Sequence, residues 1–304
     1  MPSPAGTAPL APDTRSQLLL PSAAIGGCVR AYTERDTRGC VLSEAQRFNH
    51  FPATPYCSLV WVLAGDAAIV RTDQPDAPGL AGAPRTPVGA DWLISGPQTR
   101  PMVSWNPGPA LGFWVLLQPD ALHALTGLDS AAWCNQLLPA APLLAQARDA
   151  AGWQALDQAV RAAPDTAARV AAVEAFVLPR WQAARPAQPL GLHHARDWAV
   201  AVAQRAATSG PGRSLRQLER RIKRHTGLPM RELRVLSRAE AAFFQVRAEP
   251  DGERPRWAEV ASDVGYADQA HLCRETRRVT GFTPSELRQR IAEDEAFWAY
   301  RLWI

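Results

Sequence analysis

The chain has 304 residues, of which 47% are hydrophobic and 20% are charged. This length fits two domains, and the composition is that of an ordinary globular protein, which excludes a disordered chain. The charge is unevenly distributed, because residues 190–304 hold 20 basic and 15 acidic side chains whereas residues 1–189 hold 13 and 14. The basic surplus therefore belongs to the C-terminal part.

The cysteines and the apolar runs exclude further classes of protein. The five cysteines form no C-x-x-C pair and have no regular spacing, so the sequence predicts no zinc site, no disulfide framework and no cofactor. The first twenty residues lack the pattern of a signal peptide, and no apolar run approaches the roughly 18–20 residues of a membrane span. We expect a reduced, cytoplasmic protein that has no membrane partner.

The N-terminal part has the pattern of a β structure. Residues 1–20 are rich in Pro, Ala and Ser and are predicted to be a mobile arm. From Cys40 to Gln118, short apolar segments alternate with Gly, Pro and Asp, which is typical of an antiparallel barrel or sandwich. Four tryptophans there are candidates to line a ligand cavity, with core packing as the alternative: Trp61, Trp92, Trp105 and Trp114. The isolated His50 is expected to be structural.

After Pro119 the sequence becomes rich in Ala and Leu, and it predicts helices over 120–125, 151–160 and 166–181. Residues 185–189 contain two prolines, which favour an extended linker. We therefore place a regulatory domain at residues 21–185 and a second domain at residues 190–304.

The second domain opens with a strongly basic stretch. Residues 213–238 hold nine basic and two acidic side chains. In a helix that begins after Ser214, Leu215, Leu218 and Ile222 form one apolar seam. The opposite face holds five candidate DNA-binding residues: Arg216, Glu219, Arg220, Lys223 and Arg224. Gly227 and Pro229 end this helix, a scaffold helix is predicted upstream over 196–207, and a long helix follows over 230–246.

A helix, a tight turn and a basic helix follow at residues 256–281. Trp257, Val260 and Val264 give the first helix its apolar stripe, Gly265 ends it, and Asp268 is a good N-cap for the next. The seam of the second helix is formed by Leu272, Thr276 and Val279, and its remaining faces hold the candidate DNA-binding residues Gln269, Ala270, His271, Arg274, Arg277 and Arg278. Thr283, Pro284 and Glu286 predict a capped third helix. A merely solvated charged face is the alternative interpretation.

Residues 261–284, ASDVGYADQAHLCRETRRVTGFTP, resemble the second helix-turn-helix of the AraC family of bacterial transcription regulators. Residues 218–229 resemble the first unit of that family, with Ile222 where the family has Phe or Ile. Thr276 departs from the pattern, because the family has Phe there, and the turn at Gly210, Pro211 and Gly212 is longer than in the family. Residues 96–101 and 112–119 resemble the cupin-like N-terminal domain of one AraC subgroup.

The resemblance implies an α+β protein: a cupin-like antiparallel β-barrel with trailing helices, then an all-α domain with helix-turn-helix units at about 196–227 and 256–281. It implies that Arg274 reads a base and that Arg277 and Arg278 contact phosphates. The implied partners are double-stranded promoter DNA, RNA polymerase, a second copy of the chain and a small-molecule effector in the barrel. An N-terminal domain that only dimerises or acts as a scaffold is the alternative.

An enzyme is the second class of function to weigh. A metal-dependent cupin needs clustered ligands, and only His50 and His123 precede residue 190. The family's DNA-repair methyl-transfer branch needs an activated cysteine beside a zinc cluster, and this sequence lacks that setting. We therefore predict no catalytic residues and no metal site. The aromatic residues Phe297, Trp298, Tyr300 and Trp303 predict a final helix that docks onto the DNA-binding domain.

Overall fold

A computed structural model describes residues 9–11, 13–71, 80–185, 215–247 and 255–302. Several expectations fall outside these residues. They are the first eight residues of the arm, the linker at 186–189, the scaffold helix at 196–207 with the turn at 210–212, the cap at Ser214, and Trp303.

The N-terminal part is built of two antiparallel sheets, as predicted. One sheet has the strand order β1-β2-β9-β4-β7-β10 and the other has the order β3-β8-β5-β6. The strands are β1 Arg15–Leu19, β2 Val29–Asp36, β3 Phe48–Phe51, β4 Cys57–Ala64, β5 Ala68–Val70, β6 Arg85–Pro87, β7 Trp92–Ser95, β8 Met102–Trp105, β9 Leu111–Leu117 and β10 Leu137–Pro139.

Strands β1, β2 and β10 lie outside the segment from Cys40 to Gln118 in which the sequence pattern predicted β structure. Strand β1 lies within the arm that was expected to be mobile, and it pairs along its whole length with β2. Its sequence contains no proline, so every N–H group is free to join the ladder once the Pro-rich start of the chain has ended. Residues 15–19 are therefore a sheet edge rather than part of a mobile arm.

Successive side chains of a strand point to opposite faces of the sheet. The two faces of the larger sheet therefore contact different parts of the protein. In β9, Phe113, Val115 and Leu117 are buried in a core with the helices that follow. Trp114 and Leu116 point the other way, into a cavity of about 140 Å³ between the two sheets.

The trailing helices cover the larger sheet and confirm the helices predicted from the sequence. They are α1 Pro119–Thr126, α2 Ala140–Leu144, α3 Ala150–Ala162 and α4 Thr166–Ala184. Asp149 and Asp165 cap the last two, each accepting a hydrogen bond from a backbone N–H of the first turn. The core beneath these helices includes the buried side chains of Trp153 and Trp181.

The C-terminal part is helical, with ends that follow the predicted caps. Its helices are α5 Leu215–Thr226, α6 Met230–Arg247, α7 Trp257–Asp263, α8 Gln269–Thr280, α9 Pro284–Glu293 and α10 Trp298–Leu302. The Asp268 carboxylate accepts a hydrogen bond from the His271 N–H, and Thr283 and Glu286 form a complete capping box at the start of α9. Gly265 and Gly281 adopt left-handed conformations after α7 and α8.

The chain after α9 packs against the N-terminal sheets as well as against its own domain. The Trp298 Nε1–H donates to Asn49 Oδ1 at 2.8 Å, and the ring of Phe297 stacks on His50 in β3 at 4.5 Å between centroids. The Tyr300 ring lies 6.3 Å from Phe243 of α6. The predicted docking onto the DNA-binding domain is thus only part of the arrangement, since this segment joins both parts of the molecule.

Candidate nucleic-acid interface

Helices α5 and α8 are two copies of one structural plan, 54 residues apart. Thr226 Oγ1 at the end of α5 donates to the Ile222 carbonyl at 2.9 Å and accepts from the Leu228 N–H at 3.2 Å. At the end of α8, Thr280 Oγ1 donates to the Thr276 carbonyl at 2.8 Å and accepts from the Phe282 N–H at 3.1 Å.

A left-handed glycine follows each of these threonines, with φ of +74° at Gly227 and +89° at Gly281. The same offset relates Arg220 to Arg274 and Ile222 to Thr276. The two helices therefore present equivalent positions on equivalent faces.

The outer face of α5 is basic and accessible. Ile222 is 1% exposed and turns the helix's apolar side inward. The predicted residues on the opposite face are all exposed, namely Arg216, Glu219, Arg220, Lys223 and Arg224. Within the described part of the chain, none of their side chains makes a hydrogen bond or an ion pair. Four cations and one anion thus face solvent on one helix.

Two further arginines that the sequence analysis did not select add exposed positive charge to the first unit. Arg231 and Arg234 lie in the first turns of α6 and are both exposed. Arg231 lies 3.5 Å from Glu232, and its side chain is 86% exposed. The excess of basic residues over 213–238 was the signal that would have found them, because it includes both.

The outer face of α8 differs, because two of its three arginines are held by carboxylates. The Arg277 guanidinium donates to Glu286 at 3.2 Å, and Arg278 is ion-paired with Glu232 of α6. Arg274 is exposed, and its side chain makes no hydrogen bond or ion pair with any other residue that the structure describes. Arg274 is therefore the arginine of α8 that is available to a partner without breaking an existing contact.

Of the remaining candidates on α8, His271 lies beside Glu275. His271 Nε2 lies 3.5 Å from the Glu275 carboxylate, which also accepts a hydrogen bond from Arg238 of α6 at 3.0 Å. The His271 ring makes an edge contact with Tyr266, at 5.2 Å between centroids. Gln269 and Ala270 are exposed in the first turn. His271 is thus fixed in place beside the more accessible start of the helix.

A hydrogen bond stabilises the carboxylate that holds Arg277. The backbone N–H of Thr283 holds the pKa of Glu286 below its usual range, with smaller contributions from the Thr283 hydroxyl and from Arg277. Glu286 is therefore ionised at neutral pH, and its charge opposes that of Arg277.

The four candidate tryptophans do not lie together. Trp61 and Trp92 face each other across β4 and β7 in the core beneath the trailing helices. Trp105 lies on the far side of the smaller sheet, where the Arg85 guanidinium is 3.8 Å from its ring centre. Of the four, Trp114 lines two cavities, of about 140 Å³ and about 620 Å³, and the other three line neither of these. Strand alternation turns the other three away from the space between the sheets.

The described ranges hold neither a metal-binding cluster nor a membrane span. There, no group of three or more His, Cys, Asp or Glu side chains is placed to hold a metal ion. None of the helices described is both long enough and apolar enough to cross a membrane.

Comparisons with known proteins identify a family model that matches the second part of the chain. Residues 211–290 match a family model described as a helix-turn-helix domain. No protein with a curated description matches the chain. The similar solved structures include ToxT from Vibrio cholerae O395, which is 10% identical, with a TM-score of 0.37 over 92% of this chain and 98% of that one. They also include an apo ToxT variant from V. cholerae strain SCE256, which is 11% identical, with a TM-score of 0.36 over 79% of this chain and 92% of that one.

The family match and the geometry agree. The matched segment holds α5 to α8 with their repeated helix ends, and it extends into α9. Residues 211–290 are therefore a helix-turn-helix domain of the AraC type.

Proposed function

We propose that this chain is a sequence-specific transcription regulator that binds double-stranded promoter DNA with α5 and α8. The observation that carries the proposal is the pair Arg220 and Arg274. These arginines hold equivalent positions in the two repeated helices, and both are exposed with no partner among the described residues. An arginine on a helix in the major groove makes bidentate contacts to guanine, so each is suited to read a base.

The two helices contribute unequally to the proposed interface. The free cations of α5 are suited to phosphates, which supply affinity without sequence choice. Helix α8 offers Arg274, together with Gln269 and Ala270, while Arg277 and Arg278 are held by carboxylates. We therefore assign most of the salt-dependent affinity to the first unit and a larger share of the sequence choice to the second.

The geometry favours a scaffolding or dimerising role for the N-terminal domain, because the space between its two sheets is small. That space measures about 140 Å³, whereas pockets for small organic ligands span roughly 300–1,000 Å³. The proposal therefore places no effector between the sheets. We propose that the protein partners of this chain are a second copy of the chain and RNA polymerase. We propose no catalytic activity for it.

The test is to select the preferred DNA site of the purified full chain from a random library and then to compare Arg274→Ala with the unaltered protein on that site and on random DNA. We expect a loss of about 1–3 kcal/mol on the selected site, relaxed choice at one base pair and a much smaller loss on random DNA. Arg38→Ala, at an exposed arginine paired with Asp36 in the N-terminal domain, is the matched control. Equal losses on both DNAs would remove the base-reading role, and failure to select any site would remove the proposed function.

A further inference from the structure

A second cavity, of about 620 Å³, lies between the inner face of α8 and the N-terminal domain. Leu272, Thr276 and Val279 of α8 form one wall, and residues 51–56 of the N-terminal domain form another. Helix α6 contributes a third. The volume of the cavity lies within the range of pockets that hold small organic molecules. The helix that carries Arg274 on its outside therefore has a large cavity on its inside.

The cavity is lined by a buried position at which the two helix-turn-helix units differ in size. In the first unit, Ile222 is 1% exposed and packs with Leu228, Leu233 and Leu236. Its equivalent in the second unit is Thr276, which is 8% exposed and lines the cavity. Protein interiors are normally packed without large voids. The smaller side chain thus leaves space at Thr276 that isoleucine occupies at the equivalent position of the first unit.

The side chains that line the cavity determine which kind of molecule it can bind. Most of the lining side chains are aliphatic or aromatic, and the aromatic ones include Phe51, Trp114, Phe243, Phe244, Trp257 and Tyr300. Each of the four charged side chains on the wall has a partner within the protein, namely Glu240, Arg247, Arg288 and Arg301. Glu240 accepts a hydrogen bond from the Tyr56 hydroxyl at 3.3 Å, and Arg301 donates to the Asp294 carbonyl at 2.8 Å. Aromatic walls favour stacked and edge contacts with a ring system.

We infer that this cavity is a binding site for an uncharged aromatic molecule and that Thr276 is the residue that makes room for it. The molecule completes the core of the second helix-turn-helix unit in the way that Ile222 completes the first. Because it contacts α8 and residues 51–56 together, it stabilises the docking of this helix on the N-terminal domain. Its effect on DNA binding rests on the proposed function, whereas the site itself does not.

The test uses the neutral fluorescent dye N-phenyl-1-naphthylamine and the full chain. We expect the unaltered protein to bind one dye per chain in a saturable titration, and Thr276→Ile, which places the first unit's side chain in the second, to bind it about tenfold more weakly. Thr276→Val is the matched control, because valine has nearly the volume of threonine, and it retains the affinity. Should Thr276→Ile fail to fold, Ala239→Leu, on the α6 wall, takes its place.

Two outcomes would overturn the site: equal dye affinity of Thr276→Ile and the unaltered protein, or dye uptake that does not saturate at one per chain. DNA affinity for the selected site is then measured with and without saturating dye. The regulatory role is supported if the dye changes the DNA affinity of the unaltered protein by threefold or more and leaves that of Thr276→Ile unchanged. If the dye does not change the DNA affinity of the unaltered protein, the regulatory role is refuted and the binding site is not. A chain that binds dye but selects no DNA would refute the proposed function and leave the site standing.

Discussion

Arg278 illustrates how a side chain selected by its spacing acquires a different role in the fold. Its guanidinium is ion-paired with Glu232, which is only 8% exposed at the start of α6. Its equivalent in the first unit, Arg224, is exposed and has no ion pair among the residues described. A phosphate that approaches Arg278 must compete with a carboxylate of the protein itself. Glu232 therefore lowers the contribution of this arginine to DNA affinity.

Replacing Glu232 with glutamine tests this competition. The amide keeps the shape of the side chain and removes the charge, so Arg278 becomes available to a phosphate. We expect higher affinity for both selected and random DNA, and a plot of log K against log salt that is steeper by about 0.9 for one added phosphate contact. The measurement is a salt titration of binding to a labelled duplex.

Glu44→Gln is the control for that titration, because Glu44 pairs with Arg85 in the N-terminal domain. An unchanged salt slope in Glu232→Gln would show that Arg278 does not reach the DNA backbone.

The sequence predicted the arginines of α8 but not their partners. Helical spacing is local, so it places Arg274, Arg277 and Arg278 on the outside of a helix. Glu232 lies 46 residues before Arg278 on another helix, and no periodicity within α8 reveals that contact. Which cations are free is thus a property of the fold.

Among the elements, β3 and the turn after α9 form an aromatic contact between the two parts of the chain. The His50 ring stacks on Phe297 and makes an edge contact with Phe282 at 5.7 Å. Burial lowers the pKa of His50 to about 3, with a smaller effect from the charge of Arg290. The expectation that His50 is structural agrees with this position, where a neutral imidazole packs like an aromatic ring.

This buried histidine makes stability depend on pH in a defined direction. The unfolded chain binds a proton at His50 below about pH 6.5, whereas the folded chain stays neutral there down to about pH 3. The unfolded state therefore binds more protons, and stability falls with decreasing pH across that window, by about 1.4 kcal/mol per pH unit from this group alone.

In His50→Phe, which removes the titrating group, we expect the loss of unfolding free energy between pH 7 and pH 5 to be about 2 kcal/mol smaller than in the unaltered protein. Urea denaturation at the two pH values measures both losses. Identical losses would mean that His50 does not titrate differently in the folded and unfolded states.

The elements that the sequence predicted well are those fixed by local chemistry. The caps at Asp268 and Thr283 determine where α8 and α9 begin, and these signals are contained within a few residues. The direction of the tryptophans was not predictable in the same way. A shift of one residue turns a strand side chain to the opposite face, and the register of β4 against β7 and β9 is a tertiary property. Only the fold shows that Trp114 faces the cavities while Trp61 faces the helices.

At the scale of the whole molecule, a buried ion pair joins the first sheet to the end of the chain. Arg35 of β2 lies 2.9 Å from the Glu295 carboxylate, and their side chains are 5% and 3% exposed. Glu295 also accepts hydrogen bonds from the Thr14 hydroxyl and from Arg301. Groups from the start of the chain, from β2 and from the segment after α9 thus converge on one carboxylate.

We therefore expect the two parts of the protein to lose stability together when this carboxylate is removed. Glu295→Ala leaves the Arg35 charge buried without its partner, which typically costs about 3–5 kcal/mol. Glu44→Ala, which breaks an exposed pair with Arg85, should cost less than about 1 kcal/mol. Urea unfolding followed by both tryptophan fluorescence and circular dichroism measures the two costs. If the parts are coupled as the contacts indicate, both probes shift together in Glu295→Ala, whereas a shift confined to one probe would mean that each part unfolds by itself.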